Sequence, residues 1–295
     1  MTATIWNNCN DFSGGPNIDP GAAEIPFGPV LFGSERERAS MTTVAHEIDG
    51  AVGIVTLAKP PHNLLDDALL EDLMTAYEAV VAKGARAILL RSSMRHFCAG
   101  AEVQSFGATT VIHTDKEKFA RVMDVLENMP VPTVAALNGG VLGGGLEIAL
   151  TCDMILAADT AFLGQVEVAV GLHPLLGGTQ RLVQRAGVAR AKEISMIGRR
   201  HTPEAFERWG IINLVVPEEE LAASSLNWAR QLAAGPTKII AGIKILANEA
   251  ARRGTAAADA RQIEINRMIW NTDDRKRGID AFLTTGPGTA VYKGD

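Results

Sequence analysis

The feature that most restricts the fold of this 295-residue chain is an alternation of strand-like and helix-like patterns between residues 52 and 137. Residues 52–57, 87–90 and 133–137 are short runs of β-branched and apolar residues, which are typical of buried strands. Apolar residues recur at helical spacing over 69–80, and a second helix is expected over 116–128. Strands that alternate with helices in this way predict an α/β architecture.

The two ends of the chain differ from this central part. Glycines and prolines interrupt every pattern in residues 1–40, which we interpret as a flexible leader, with Met41 as an alternative translation start. Residues 41–217 would then form the catalytic core, and residues 218–295 a helical region for docking or oligomerisation. The helices expected in that region cover 221–233, 238–252 and 258–270.

Composition excludes several classes of protein. The chain has 28 Lys and Arg against 34 Asp and Glu and no long basic run, so nucleic acid is not an expected partner. Its three cysteines form no C-x-x-C pair and no metal knuckle with the six histidines, which favours a reducing cytoplasm. No apolar stretch approaches the roughly 20 residues that a bilayer span needs, and no signal peptide is recognisable. We therefore expect a cytoplasmic protein that neither binds a metal nor enters a membrane.

Two glutamates follow glycine-containing turns, and together they suggest acid/base chemistry. Glu147 follows Gly143-Gly144-Gly145, and Glu167 follows Gly164. The glycine cluster matches neither G-x-G-x-x-G nor a P-loop, so nucleotide binding is not supported. Gly144 would begin a helix, where unpaired N–H groups favour an oxygen that gains negative charge. A pair of carboxyl groups beside such donors can move protons on and off carbon.

Several motifs in order along the chain resemble one known family. They are Phe97-Cys98-Ala99-Gly100-Ala101-Glu102, Ala135-Ala136-Leu137-Asn138-Gly139 through Glu147, Gly164-Gln165-Val166-Glu167, and Gly177-Gly178-Thr179-Gln180-Arg181-Leu182. The chain resembles the crotonase, or enoyl-CoA hydratase/isomerase, superfamily from about Val44 to Phe282. The resemblance implies an α/β crotonase fold of stacked β-β-α units. It also implies a C-terminal helical region that builds trimers, commonly paired into hexamers.

The resemblance further implies a reaction and its catalytic residues. The substrate would be an acyl-CoA thioester whose carbonyl oxygen is held by the backbone N–H groups of Ala101 and Gly144. In the hydratases of this superfamily, the residue at Glu147 activates the water that adds to C3, and the residue at Glu167 protonates C2. The expected activity is that of an enoyl-CoA hydratase-type lyase without a separate cofactor, since coenzyme A is part of the substrate. Because two nearby carboxyl groups resist being ionised together, we expect one to hold a proton near neutrality.

Five further residues are candidates for substrate binding: His62, Ala99, His173, Leu175 and Phe282. His62 falls in the loop that lies along CoA in relatives, although a surface turn residue is an equal alternative. His173 is a candidate pocket residue, although an unpaired histidine is more often structural. Bulk at Leu175, where many hydratases have a small residue, suggests a different acyl shape.

Other departures from the pattern of this superfamily leave the exact reaction open. Glu102 replaces the usual Asp, Gln104 stands where a Lys is often found, and residues 284–286 replace a basic stretch that helps to hold CoA phosphates. Isomerases of the superfamily usually work with one carboxylate at the position of Glu167, so the presence of both glutamates favours hydration. The alternatives are an isomerase, an acyl-CoA hydrolase, and a non-catalytic binding subunit.

Overall fold

The computed structural model describes residues 43–102 and 115–295; the leader and Gln104 lie outside the described residues. The main sheet of the described part has six strands in the order β1-β2-β3-β4-β6-β8. They are β1 (Val44–Asp49), β2 (Val52–Leu57), β3 (Ala87–Ser92), β4 (Thr133–Leu137), β6 (Met154–Ala158) and β8 (Leu214–Val216). The β1–β2 pair is antiparallel, and the other neighbours are parallel. A second, two-stranded parallel sheet joins β5 (Gly140–Leu142) to β7 (Phe162–Gly164).

Helices connect the strands and form the C-terminal region. They are α1 (Asp67–Ala82), α2 (Lys116–Glu127), α3 (Gly144–Ala149), α4 (Gly178–Ile197), α5 (Pro203–Arg208), α6 (Leu221–Ala234), α7 (Thr237–Arg253), α8 (Thr255–Trp270) and α9 (Asp273–Thr284). Helix α4 is kinked at Gly187, which has φ 79°. Short 3-10 turns cover Glu167–Val170 and Glu218–Glu220.

The strands β2, β3, β4 and β6 are buried on both faces, since their successive side chains point in opposite directions and each direction meets an apolar core. In β3, Ile88 and Leu90 belong to one apolar core, whereas Ala87 and Leu89 belong to the other. The first core also contains buried side chains of α1, and the second contains those of α6. Such strands are almost continuously apolar, which is why β2, β3 and β4 were recognisable in the sequence.

Local interactions explain where the first helix begins and ends. The Asp66 side chain accepts a hydrogen bond from the Leu69 N–H at 2.8 Å, which is an N-cap contact. Leu69, Leu73 and Tyr77 lie buried on the sheet-facing side. Gly84, with φ 90°, follows the last turn and supplies the left-handed conformation that ends many helices. The predicted cap, spacing and stop of this helix are confirmed.

The C-terminal region is helical, as the sequence predicts. Helices α6, α7 and α8 cover the three expected segments, and α9 adds a fourth. Large apolar side chains remain exposed on α7, α8 and α9: Ile243, Ile263, Met268, Trp270, Ile279, Phe282 and Leu283. Exposed large apolar side chains that form a patch are typical of surfaces that bind another chain. No helix within residues 43–102 and 115–295 is long and apolar enough to cross a membrane.

Candidate active site

The loop before Ala101 lies beside the short sheet that precedes α3. Cys98 donates its backbone N–H to the Gly140 carbonyl at 3.2 Å and accepts from the Leu142 N–H at 3.1 Å. These bonds align the loop with β5, which ends immediately before the glycine turn. Cys98 itself is buried, and burial raises the pKa of its thiol to about 12. Cys98 packs in the apolar core, and a thiol with so high a pKa is a poor nucleophile.

Leu65 connects the two candidate oxyanion donors. Its backbone accepts from the Glu102 N–H at 2.8 Å and donates to the Gly100 carbonyl at 2.9 Å, so that it pairs with the loop on either side of Ala101. Its side chain lies against Gly144, where an added Cβ would be 2.8 Å from Leu65 Cδ2. Within the described part of the chain, neither the Ala101 nor the Gly144 N–H donates a hydrogen bond to the protein.

A cluster of charged side chains holds the end of the Ala101 loop. The ammonium group of Lys59 lies 2.8 Å from the Glu102 carboxylate and 2.6 Å from the Asp66 carboxylate. It also donates to the Leu64 carbonyl at 3.0 Å. Glu102, which replaces the usual Asp, thus joins the loop to the beginning of α1.

Glu147 lies in the buried helix α3 with a relative exposure of 2%. One oxygen, Oε1, accepts hydrogen bonds from the backbone N–H groups of Leu176 at 2.7 Å and Gly178 at 2.8 Å. Burial raises the pKa of this carboxyl group, while those N–H groups and the charge of Arg181 lower it. Donors directed at a carboxylate favour its ionised form, so they oppose the effect of burial.

Glu167 begins the 3-10 turn after β7 and is half-buried. Burial and the nearby charge of Glu147 raise its pKa to about 7. The amide of buried Gln165, oriented with its nitrogen toward Glu167, donates to both carboxyl oxygens at 2.7 and 2.9 Å. One member of the pair thus titrates near neutrality, which agrees with the prediction made for two adjacent carboxyl groups.

Glycine is required where the glutamates and their supporting turns approach each other. A Cβ at Gly178 would lie 2.3 Å from the Gln165 amide and 2.8 Å from Glu147 Cγ. A Cβ at Gly143, which has φ 52°, would lie 3.4 Å from a Glu167 carboxyl oxygen. Glycine therefore fits position 178 for lack of space and position 143 for its left-handed backbone, and both turns lie directly against a glutamate side chain.

The two histidines among the candidate substrate-binding residues lie in different surroundings. His62 is half-buried, and its Nδ1 is buried without a hydrogen-bond partner among the described residues. Its ring centroid lies 5.2 Å from that of His96, whose Nδ1 accepts from the Gly140 N–H at 2.9 Å. His173 is exposed, with Nδ1 2.8 Å from the Pro174 carbonyl oxygen. No contact to either glutamate is found for His173 among the described residues.

The other three candidates also take different positions. Ala99 donates its N–H to the His62 carbonyl at 3.1 Å, which places it at the start of the Ala101 loop. Leu175 is half-buried and precedes Leu176, whose side chain packs into the core. Phe282 lies on α9 and is 61% exposed. The roles of all five residues in substrate binding stay predictions.

Two residues that act on the two glutamates, one by contact and one by charge, were not singled out from the sequence. Gln165 precedes Glu167 by two positions, and its amide is the group that contacts the Glu167 carboxyl. Arg181 is a buried cation whose charge acts on Glu147. Both belong to the quoted motifs, but only the packed structure shows which carboxyl group each one serves.

A cavity of about 360 Å³ lies next to the turn that holds Glu147. Apolar groups of α2 and polar groups of α4 face it, and its lining includes Phe119, Met123, Gly177, Gln180 and Arg181. Neither Glu147 nor Glu167 lines this cavity. Among residues 43–102 and 115–295, no group of three or more His, Cys, Asp or Glu side chains is placed to hold a metal ion.

The chain is similar to known proteins of one family. Residues 47–290 match the family model described as "Enoyl-CoA hydratase/isomerase". A Rhizobium meliloti protein named "Probable enoyl-CoA hydratase" is 31% identical over 250 residues, which cover 83% of this chain and 96% of that protein. A mitochondrial protein of the same name from Dictyostelium discoideum is 31% identical over 82% of this chain and 88% of its own length.

Solved structures give the same result. An enoyl-CoA hydratase subunit I from Geobacillus kaustophilus superposes with a TM-score of 0.80 at 32% identity, over 87% of this chain and all of that one. Pseudomonas aeruginosa DspI gives a TM-score of 0.77 at 28% identity, over 84% of this chain and 98% of that one. The chain belongs to the enoyl-CoA hydratase/isomerase, or crotonase, family, and the resemblance stated from its motifs is confirmed.

Proposed function

We propose that this protein is an enoyl-CoA hydratase-type lyase, which adds water across the 2,3 double bond of an enoyl-CoA thioester. The observation that carries the proposal is that the two carboxyl groups, Glu147 and Glu167, lie in different surroundings. Burial raises the pKa of both groups, that of Glu167 to about 7, but Glu147 differs in accepting two backbone N–H groups and in facing the charge of Arg181, which favour its ionised form. A site with one carboxylate base and one carboxylic acid is suited to adding the two parts of water to a double bond.

The proposed reaction uses each group once. The thioester oxygen accepts hydrogen bonds from the N–H groups of Ala101 and Gly144, which stabilise the enolate-like charge that forms as C3 is attacked. Glu147 takes a proton from water while the water oxygen bonds to C3. Glu167 gives its proton to C2, and the double bond becomes a single bond. A proton then returns from Glu147 to Glu167 through the site or solvent, which restores both groups.

The reaction needs no cofactor besides the coenzyme A of the substrate, because two carboxyl groups perform both proton transfers. His62 and Ala99 would lie along the thioester, since they are joined by a backbone hydrogen bond at the start of the oxyanion loop. Leu175, beside the turn that holds Glu147, would limit the shape of the acyl group. We also propose a trimer or a hexamer built through the C-terminal helices, on which apolar side chains, including that of Phe282, are exposed.

The proposal is tested with a panel of 2-enoyl-CoA thioesters, from crotonyl to branched and aromatic chains, by loss of the conjugated thioester absorbance. General acid/base groups typically contribute 10²–10⁴-fold to rate, so Glu147→Gln and Glu167→Gln should each lower turnover by about that factor. Binding of the acyl-CoA should persist in both variants. Glu78→Gln, an exposed change on α1, is the matched control and should keep full activity.

Other outcomes would replace the proposal. Turnover of 3-enoyl-CoA substrates that depends on Glu167 but survives Glu147→Gln would indicate an isomerase. Release of free coenzyme A thiol would indicate a hydrolase. Binding of acyl-CoA without turnover of any substrate would indicate a binding subunit.

A further inference from the structure

A buried ion pair lies behind the turn that holds Glu147. The Arg181 guanidinium, on α4, donates from Nη2 to the Glu127 carboxylate at 2.5 Å. The two side chains are only 10% and 12% exposed. Buried charges of this kind are costly unless they are paired and hydrogen-bonded, so their position calls for an explanation.

The other terminal nitrogen of Arg181 contacts the turn that holds Glu147. Nη1 donates to the Gly177 carbonyl at 3.1 Å. Gly177 has φ 83°, and a Cβ at this position would lie 2.3 Å from Nη1. The turn therefore closes around the guanidinium, and its shape depends on the planar fork of an arginine.

The same turn supplies the N–H groups that hold the catalytic carboxylate. Leu176 precedes Gly177 and Gly178 follows it, and both donate to Glu147 Oε1. Hydrogen bonds therefore connect Glu127 to Glu147 in three steps. Arg181 donates to both the Glu127 carboxylate and the Gly177 carbonyl, and the N–H groups on either side of Gly177 donate to Glu147. A displacement of Arg181 would thus move the donors that orient the base.

Arg181 also acts through its charge. Burial raises the pKa of the Glu147 carboxyl group, and the positive charge of Arg181 opposes that effect. Glu127 counterbalances part of this charge, and it is shared with Arg252 of α7, whose Nη2 lies 2.7 Å from a Glu127 oxygen. Because the cluster is buried, such interactions are screened less than they would be at the surface.

We infer that Arg181 is a positioning residue for Glu147, and that its pairing with Glu127 sets the orientation and the charge environment of the base. The inference rests on the proposed role of Glu147 in hydration. It assigns Arg181 no contact with the substrate. Helix α7 takes part through Arg252, which connects the C-terminal helical region to the same ion pair.

Other charged groups surround this cluster and have to be considered in any titration. Glu167 faces Glu147 from the turn after β7, and its pKa is raised by that neighbour. Asp124 of α2 lines the cavity beside Glu127 and Arg181. Arg185, one turn further along α4, lies within electrostatic range of Glu127 and Arg181.

The test measures the titration of Glu147 directly in the full-length protein, by infrared difference spectroscopy of its carboxyl band. Glu147→Gln identifies that band by its loss. In Arg181→Gln the positive charge is gone, so Glu147 should titrate at higher pH than in the wild type. In Glu127→Gln the charge of Arg181 is no longer balanced, so Glu147 should titrate at lower pH. A purely structural role predicts no such opposite displacements.

Turnover provides the second measurement. A misplacement of about 1 Å can cost 10²-fold, so Arg181→Gln should lower kcat by roughly that factor and change KM little. Arg181→Lys keeps the charge but lacks the fork, so it should restore the titration of Glu147 without restoring full kcat. Lys192→Gln is the matched control, because it removes an exposed positive charge from the same helix α4. It should leave the Glu147 titration unchanged.

Two results would overturn the inference: an unchanged Glu147 titration in both Arg181→Gln and Glu127→Gln, or displacement in the same direction in both. If Arg181→Gln fails to fold, Glu127→Gln alone decides, since it leaves Arg181 in place. A failure of the hydratase proposal is recognised separately. It would appear as absent turnover of the wild-type protein, while the carboxyl titration would still report whether Arg181 acts on Glu147.

Discussion

Glu147 Oε1 lies 2.8 Å from the backbone nitrogen of Gly178, and a Cβ at Gly178 would lie 2.8 Å from Glu147 Cγ. Gly178 therefore donates its N–H to Glu147 and, because it has no side chain, also leaves space for the Glu147 side chain. This relationship gives glycine at 178 a chemical reason beyond turn formation, because the donor has to approach the carboxylate side chain closely.

Gly178→Ala should therefore impair both folding and catalysis. The added methyl group would also lie 2.3 Å from the Gln165 amide, and overpacking of this kind typically costs about 1–3 kcal/mol. Hydration should fall by roughly 10²-fold, because Glu147 is displaced. The checks are urea unfolding and the enoyl-CoA assay.

The matched control for this change is Gly50→Ala in the β1–β2 turn. Gly50 has φ 60° and no atom within 4 Å of an added Cβ, so only the cost of left-handed backbone, about 1–2 kcal/mol, is expected. Its activity should equal that of the wild type. Equal catalytic loss in both variants would contradict the specific role of Gly178.

The pH dependence of kcat/KM should have two limbs. Hydration requires a protonated Glu167, whose pKa is about 7, so the rate should fall as the pH rises above about 7. It also requires an ionised Glu147, whose pKa burial raises above its ordinary value, so the rate should fall again in acid. The apparent values belong to the coupled pair. A rate that stays constant from pH 6 to pH 9 would refute this assignment of acid and base.

Much of this arrangement could be predicted from the sequence because the informative residues lie close together along the chain. Glu147 and Glu167 follow glycine turns, and the strands β2, β3 and β4 are short apolar runs. Strand β6 was missed, since Met154–Ala158 is an apolar run without period 2 that is equally compatible with a helix.

The supporting contacts could not be predicted in the same way. Arg181 and Glu127 are 54 positions apart, and they meet only because α2 and α4 come together beside the core. Arg252, on α7, also pairs with Glu127, a partner that its own sequence neighbourhood does not indicate. Local patterns do not specify such partners, because the pairing depends on how distant elements pack.

The oligomeric state gives a further prediction. Seven large apolar side chains are exposed on α7, α8 and α9, and burial of such surface stabilises an assembly by roughly 25 cal/mol per Å². Light scattering should give the mass of a trimer or a hexamer. Leu283→Glu, which places a charge within this surface, should shift the distribution toward smaller species. A wild-type protein that stays monomeric at micromolar concentration would contradict the prediction.

Glu167 should reduce the stability of the folded protein at alkaline pH. Its pKa is raised in the folded state from an ordinary 4.5 to about 7, so the folded protein binds more protons than the unfolded chain between these values. The free energy of unfolding should therefore decrease as the pH rises from 4.5 to 7, and the loss should be complete above that range. Because Glu167 is only partly buried, the expected effect is limited to roughly 1–2 kcal/mol.

Glu167→Gln removes this titration and tests it. The variant should be more stable than the wild type at pH 8, because no charge is then buried beside Glu147. The difference should shrink toward pH 5, where Glu167 is protonated in the wild type. Thermal unfolding at both pH values measures the two differences, with Glu78→Gln as the exposed control. If Glu167→Gln were destabilised equally at pH 5 and pH 8, the carboxyl group would be contributing packing and hydrogen bonds to Gln165, and not a buried charge.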